Sequence, residues 1–145
     1  MPTYTKEDIV YRTCLVLTRH IRNQVEENRN GNHTRIFSHL LHPEIDFVYL
    51  GKSTKVTPET NTHPEHVVPC AVLLLETRRL IEESKIRDDE IAKLLQKHWK
   101  IAIITKEEAN ILDRDLGYKS IMPIGWSFEH GDTMARLKEG NITLV

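Results

Sequence analysis

The chain predicts a single α+β domain, and three observations carry that prediction. Apolar residues recur at helical spacing in several long stretches. Two runs rich in β-branched or aromatic residues, IDFVYLGK and KIAII, fall between them and read as strands. The 145 residues hold no internal repeat and no low-complexity tract, so one core serves the whole of residues 1–145. Three regions follow in order: a helical start over about 5–42, a middle over about 47–116, and a tail over 117–145.

The first helix begins at Thr5, a good N-cap, with Asp8 placed to complete a capping box. Val10, Cys14, Leu17, Ile21 and Val25 then form one apolar stripe, which stops at the turn NRNGN. A short helix, TRIFSHLL, ends ahead of Pro43, because the residue before a proline avoids helical geometry. IDFVYLGK reads as a strand and STKVTPETNTHPEH as a polar loop or ragged hairpin. After Pro69 come two helices, the first with Leu73, Leu74, Thr77, Leu80 and Ile81 on one face. The second starts near RDDE, with Ile91, Leu94, Leu95 and His98 on one stripe. KIAII is a strand, and TKEEANILDRDLG a helix capped by Thr105 and Glu108 and stopped by Gly117. The tail predicts a Pro-Gly turn, a short helix near 133–138 and a closing strand.

Composition excludes several functions. A net charge of −1 gives no general attraction for nucleic acid, so any such binding needs a local basic face. Arg12, Arg19 and Arg22 supply one candidate, lying with Arg29 in an arc of roughly 100° on the first helix. Glu26 shares that arc and can pair with Arg22, so a salt-bridged, solvated face competes with a phosphate-contacting edge. The longest apolar run, AVLLL, is far too short to span a membrane, and no secretory leader pattern opens the sequence. Cys14 and Cys70 sit in apolar contexts and read as buried free thiols, which predicts a reducing, cytoplasmic setting. There is no Walker pattern or dinucleotide fingerprint, and neither Ser nor Cys stands in a recognisable nucleophile motif.

The segment NTHPEHVVPC concentrates ionisable chemistry. Hydrolysing a phosphodiester calls for an attacking water, a base and a cation to hold developing charge. In extended chain, neighbouring side chains face opposite ways. Glu65 and His66 can therefore divide those tasks.

HPEHVVP, preceded by FVYLGK, resembles the first half of the HNH, or ββα-metal, nuclease signature. HWKIAIITKEEANILD resembles its second half, a strand followed by a helix whose first turns supply a metal ligand. The resemblance covers about residues 47–70 and 98–116. It implies a ββα-metal-like hairpin-plus-helix unit embedded among several helices, with Glu65 as a metal ligand and His66 as general base. His98 would stand near the Asn that orients that base. Asn110 and Glu108, with Glu107 beside them, would be the oxygen ligands on the helix. The implied activity is hydrolysis of DNA by a divalent cation, Mg²⁺ or Mn²⁺ rather than Zn²⁺. The tail MPIGW…D…ARLKEGNI resembles a recurring ending of bacterial and phage proteins.

The sequence departs from the family pattern in two places. Ala109 stands where the family's helix carries His, and nearly thirty residues separate the two half-motifs. These departures keep an alternative open: a non-catalytic interaction module on a degenerate HNH-like scaffold, such as a phage or mobile-element protein that inhibits a host protein. His39-x-x-His42 and His63-x-x-His66 raise a zinc reading, opposed by the flanking Pro43 and Pro64.

Overall fold

A computed structural model describes residues 3–145; Met1 and Pro2 lie outside the described residues. Helix α1, Lys6–Glu26, starts with the expected reciprocal cap: Thr5 Oγ1 accepts from the Asp8 N–H and Asp8 Oδ2 from the Thr5 N–H, each at 3.1 Å. Its stripe of Val10, Cys14, Leu17 and Ile21 is buried against α4, Cys70–Glu83, and α5, Asp88–His98. Helix α4 stops at Ser84, whose left-handed φ of 55° ends the ladder. Short helices α2, Ile36–Leu40, and α3, Ile45–Val48, close this side with Phe37, Val48 and Trp99 in the same core.

The sheet has three strands: β1, Tyr49–Lys52, β2, Thr62–His66, and β3, Ile101–Thr105, in the order β1-β3-β2. β3 is central, parallel to β1 and antiparallel to β2. It runs directly into α6, Lys106–Asn110, through a second capping box between Thr105 and Glu108. The chain is thus α+β, with an antiparallel strand pair leading into a helix. β2 and β3 do not form a hairpin, since α4 and α5 lie between them in sequence. β3 separates two apolar clusters: Ile101 faces the helical core, while Ala102 and Ile104 face Val67, Ala109, Leu112 and Leu137.

Between α2 and α4 two elements differ from expectation. Only the second half of IDFVYLGK is extended; Ile45–Val48 makes a helical turn, which packs on α1 and buries Val48. THPEH, within the stretch expected to be a polar loop or ragged hairpin, is β2. Pro64 is tolerated because β2 is an edge strand and needs hydrogen bonds on one side only.

Beyond α6 the helix widens into a π-type turn over Ile111–Asp115. Helix α7, Ala135–Glu139, packs Leu137 into the second cluster. The expected closing strand is reduced to one bridge between Ser53 and Leu144. Gly51, at φ 152°, lets this tail approach: a Cβ there would stand 2.9 Å from the Val145 carbonyl oxygen. Among the described residues no helix is long and apolar enough to cross a membrane.

Candidate functional site

Cys70, His66, Glu65 and Glu44 open onto one cleft of about 420 Å³. The end of β2 supplies His63, Glu65 and His66, the start of α4 supplies Cys70, and the residue ahead of α3 is Glu44. Arg136 enters from α7, Asp113 from the π-type turn, and Lys119 and Arg35 from exposed segments.

Glu65 and His66 engage different partners. The Glu65 carboxylate accepts from Arg136 Nη2 and lies 3.1 Å from His63 Nε2. His66 Nε2 lies 2.8 Å from Glu44 Oε2, and the same oxygen accepts from Trp99 Nε1 at 2.5 Å. Trp99 is wholly buried, so the Glu44 carboxylate is anchored from the core side and presents itself to the imidazole. Burial alone lowers the affinity of His66 for a proton. The Cys70 side chain and the Glu44 carboxylate outweigh it, and the imidazole is pushed up to about 10. At neutral pH it is therefore an imidazolium, suited to giving a proton rather than taking one.

Arg136 is the least expected component. It is 0% exposed, yet only Nη2 is engaged; Nε and Nη1 are buried and find no acceptor in the protein. A buried guanidinium that leaves two nitrogens unmatched is costly unless something else completes its fork. Arg136 borders the cleft lined by His66 and Cys70.

The other residues singled out in the sequence fall elsewhere. His98 is fully buried, with Nδ1 2.9 Å from Thr133 Oγ1 and Nε2 2.8 Å from the Phe128 carbonyl oxygen. Burial keeps it neutral by lowering its pKa, and it ties the tail to α5 rather than lining the cleft. Glu108 spends one carboxylate oxygen on the Thr105 N–H and the other on the Ser53 hydroxyl. Asn110 is exposed at the end of α6, and Ala109 is packed into the second cluster. On α1, the Arg12 guanidinium covers the Tyr4 ring at 4.2 Å and Arg19 is exposed. Arg22 pairs with Asp88 of α5 through Nε and Nη2, and not with Glu26 as the sequence spacing suggested.

These placements decide whether a divalent cation fits. Glu65 offers one carboxylate, already matched by the positive guanidinium of Arg136, and a second cation beside it would be repelled. Glu108 and Asn110 do not border the cleft. The donor set as arranged does not fit the implied metal, and Arg136 already supplies the positive charge beside Glu65.

Sequence reading did not find Glu44 or Arg136, and it expected Cys70 to be a buried thiol, whereas Cys70 is only partly buried and borders the cleft. Glu44 lies 22 residues from His66, and Arg136 lies 71 from Glu65. Only Cys70 carried a local signal, as the first residue of a helix directly after Pro69. No family model matches the chain, and neither the curated proteins nor the solved structures give a match.

Proposed function

We propose that the cleft receives a phosphate of a DNA backbone and that the protein hydrolyses the phosphodiester there. The observation that carries this reading is Arg136, a buried guanidinium with two unmatched nitrogens on a residue that borders a polar cleft. Planar N–H forks suit phosphate oxygens, and a desolvated arginine stabilises charge that grows on them during transfer. Lys119 and Arg35 add exposed positive charge at the same cleft, which suits a polyanion although the whole chain carries −1. His66, held by Glu44, protonates the departing oxygen. Nothing in this chemistry is assigned to a divalent cation. Two free thiols accord with a cytoplasmic setting.

The test is nicking of supercoiled plasmid by wild type and His66→Ala, with Mg²⁺, with Mn²⁺, and in EDTA. The reading expects cleavage in EDTA that His66→Ala abolishes. Cleavage only with added metal returns Glu65 to the ligand role implied by the HNH resemblance.

A second reading has its own support. Glu65 is sealed by Arg136 and His63, as expected of a centre retained for recognition rather than chemistry. Binding of DNA or of a host protein without cleavage under any condition is the result that favours this interaction module.

A further inference from the structure

We propose that Cys70 is the nucleophile of this cleft, attacking the phosphorus of the bound diester with His66 and Glu44 as its proton partners. The proposal rests on the reading of the cleft as a phosphate site and names the atom that does the chemistry.

Four placements converge on it. Cys70 is the first residue of a 14-residue helix, is only partly buried, and borders the cleft. No side chain caps that helix: the Val72 and Leu73 N–H groups both reach the Pro69 carbonyl oxygen, at 2.9 and 3.1 Å. The Cys70 and Ala71 N–H groups, first in the helix, therefore have no intrahelical acceptor, and both residues line the cleft. Such a helix start favours a thiolate and an adjoining oxyanion alike.

The second placement is His66. Its Nε2 is taken by Glu44, its other ring nitrogen is left over, and the ring shares the cleft with Cys70, four residues on. The third is Glu44, which Trp99 fixes from behind, so that the carboxylate orients the imidazolium that shares the cleft with the sulfur. The fourth is Arg136, fully buried and bordering the same cleft, whose unmatched Nε and Nη1 are the donors offered to the phosphate oxygens. Cys14 provides the internal contrast. It is wholly buried in the helical core, where burial raises its thiol far beyond the reactive range.

The reaction closes without an added oxidant or metal. In the proposed step the thiol proton has passed to His66, and the sulfur forms a bond to phosphorus while the bond from phosphorus to the leaving oxygen breaks. His66 gives its proton to that oxygen. Water then loses a proton to His66 and attacks phosphorus, the sulfur–phosphorus bond breaks, and the free thiolate again faces an imidazolium. The net change is one diester and one water to one monoester and one alcohol.

The experiment uses the full chain and bis(p-nitrophenyl) phosphate, following nitrophenolate release and the mass of the acid-quenched Cys70 peptide. Wild type is expected to show a burst and a nitrophenyl phosphate adduct on Cys70. Cys70→Ala and Cys70→Ser are expected to lose turnover by about 100-fold or more while still binding the diester. The serine variant keeps the comparison available if the alanine variant does not fold. Variants that turn over at the wild-type rate, with no adduct on the wild type, overturn Cys70 as nucleophile and leave the phosphate site standing. Wild-type binding without turnover overturns it in favour of the interaction module. Absence of both binding and turnover in the wild type removes the phosphate reading together with the proposal.

Discussion

Arg136 and Glu65 form an ion pair in which the arginine is entirely withdrawn from solvent and the glutamate nearly so. An isolated pair of this kind contributes little net stability, because two desolvation costs oppose one attraction. Removing one member is different, since it strands the other charge. Arg136→Ala is expected to lower unfolding stability by about 3–5 kcal/mol, measured by urea titration. Arg136→Lys should retain much of that stability yet bind phosphate diesters poorly, because an ammonium cannot span two oxygens as the fork does. Equal stability losses in both variants would remove the fork from the account.

Glu44 joins His66 to Trp99 through one carboxylate oxygen. Glu44→Gln keeps the shape and deletes the charge. The His66 pKa should then fall from about 10 toward the ordinary histidine value, followed through the imidazole carbon-bound protons in a pH titration by NMR. An unchanged titration would show that Glu44 does not hold the imidazolium.

The same pair gives stability a pH dependence of fixed sign. The folded His66 value is raised above 6.5 to about 10, so the folded state binds this proton more tightly than the unfolded chain. Its contribution is complete below about pH 6.5 and is lost as pH rises toward about 10. The stability difference between wild type and His66→Gln should therefore shrink steadily across that interval in urea unfolding curves. A difference that grows with pH contradicts the pairing.

His98 separates structural from functional histidines. Its two ring nitrogens hold Thr133 and the Phe128 carbonyl, and its ring packs against Trp126 and Phe128 at 5.0 and 5.1 Å. His98→Ala should cost about 3 kcal/mol through a cavity and a stranded carbonyl. The activity of the fraction that remains folded should be unchanged. A loss of activity at full stability would place His98 in the chemistry.

What the sequence disclosed follows from how local each interaction is. The caps at Thr5 and Thr105 and the stripe from Val10 to Ile21 are set by residues three or four apart, and the structure contains all of them. β2 escaped notice because THPEH is polar and holds Pro64, and only its position at the sheet edge makes it a strand. Glu65 and His66 were visible as chemistry, but their partners were not. Glu44 and Arg136 reach them from the residue ahead of α3 and from α7 across long stretches of chain, and pairing at that range leaves no periodicity to read. Arg22 makes the same point on the surface: spacing favoured Glu26, and the fold supplied Asp88.

The central claim is that Arg136 holds two donors for a phosphate. The direct measurement follows the Nε–H resonance of Arg136 by ¹⁵N NMR while dimethyl phosphate is added, with Arg136→Lys used to assign the signal. The account predicts a saturable shift of that resonance together with the amides of Cys70 and Ala71. A resonance that stays fixed while phosphate esters bind elsewhere, or do not bind, contradicts it.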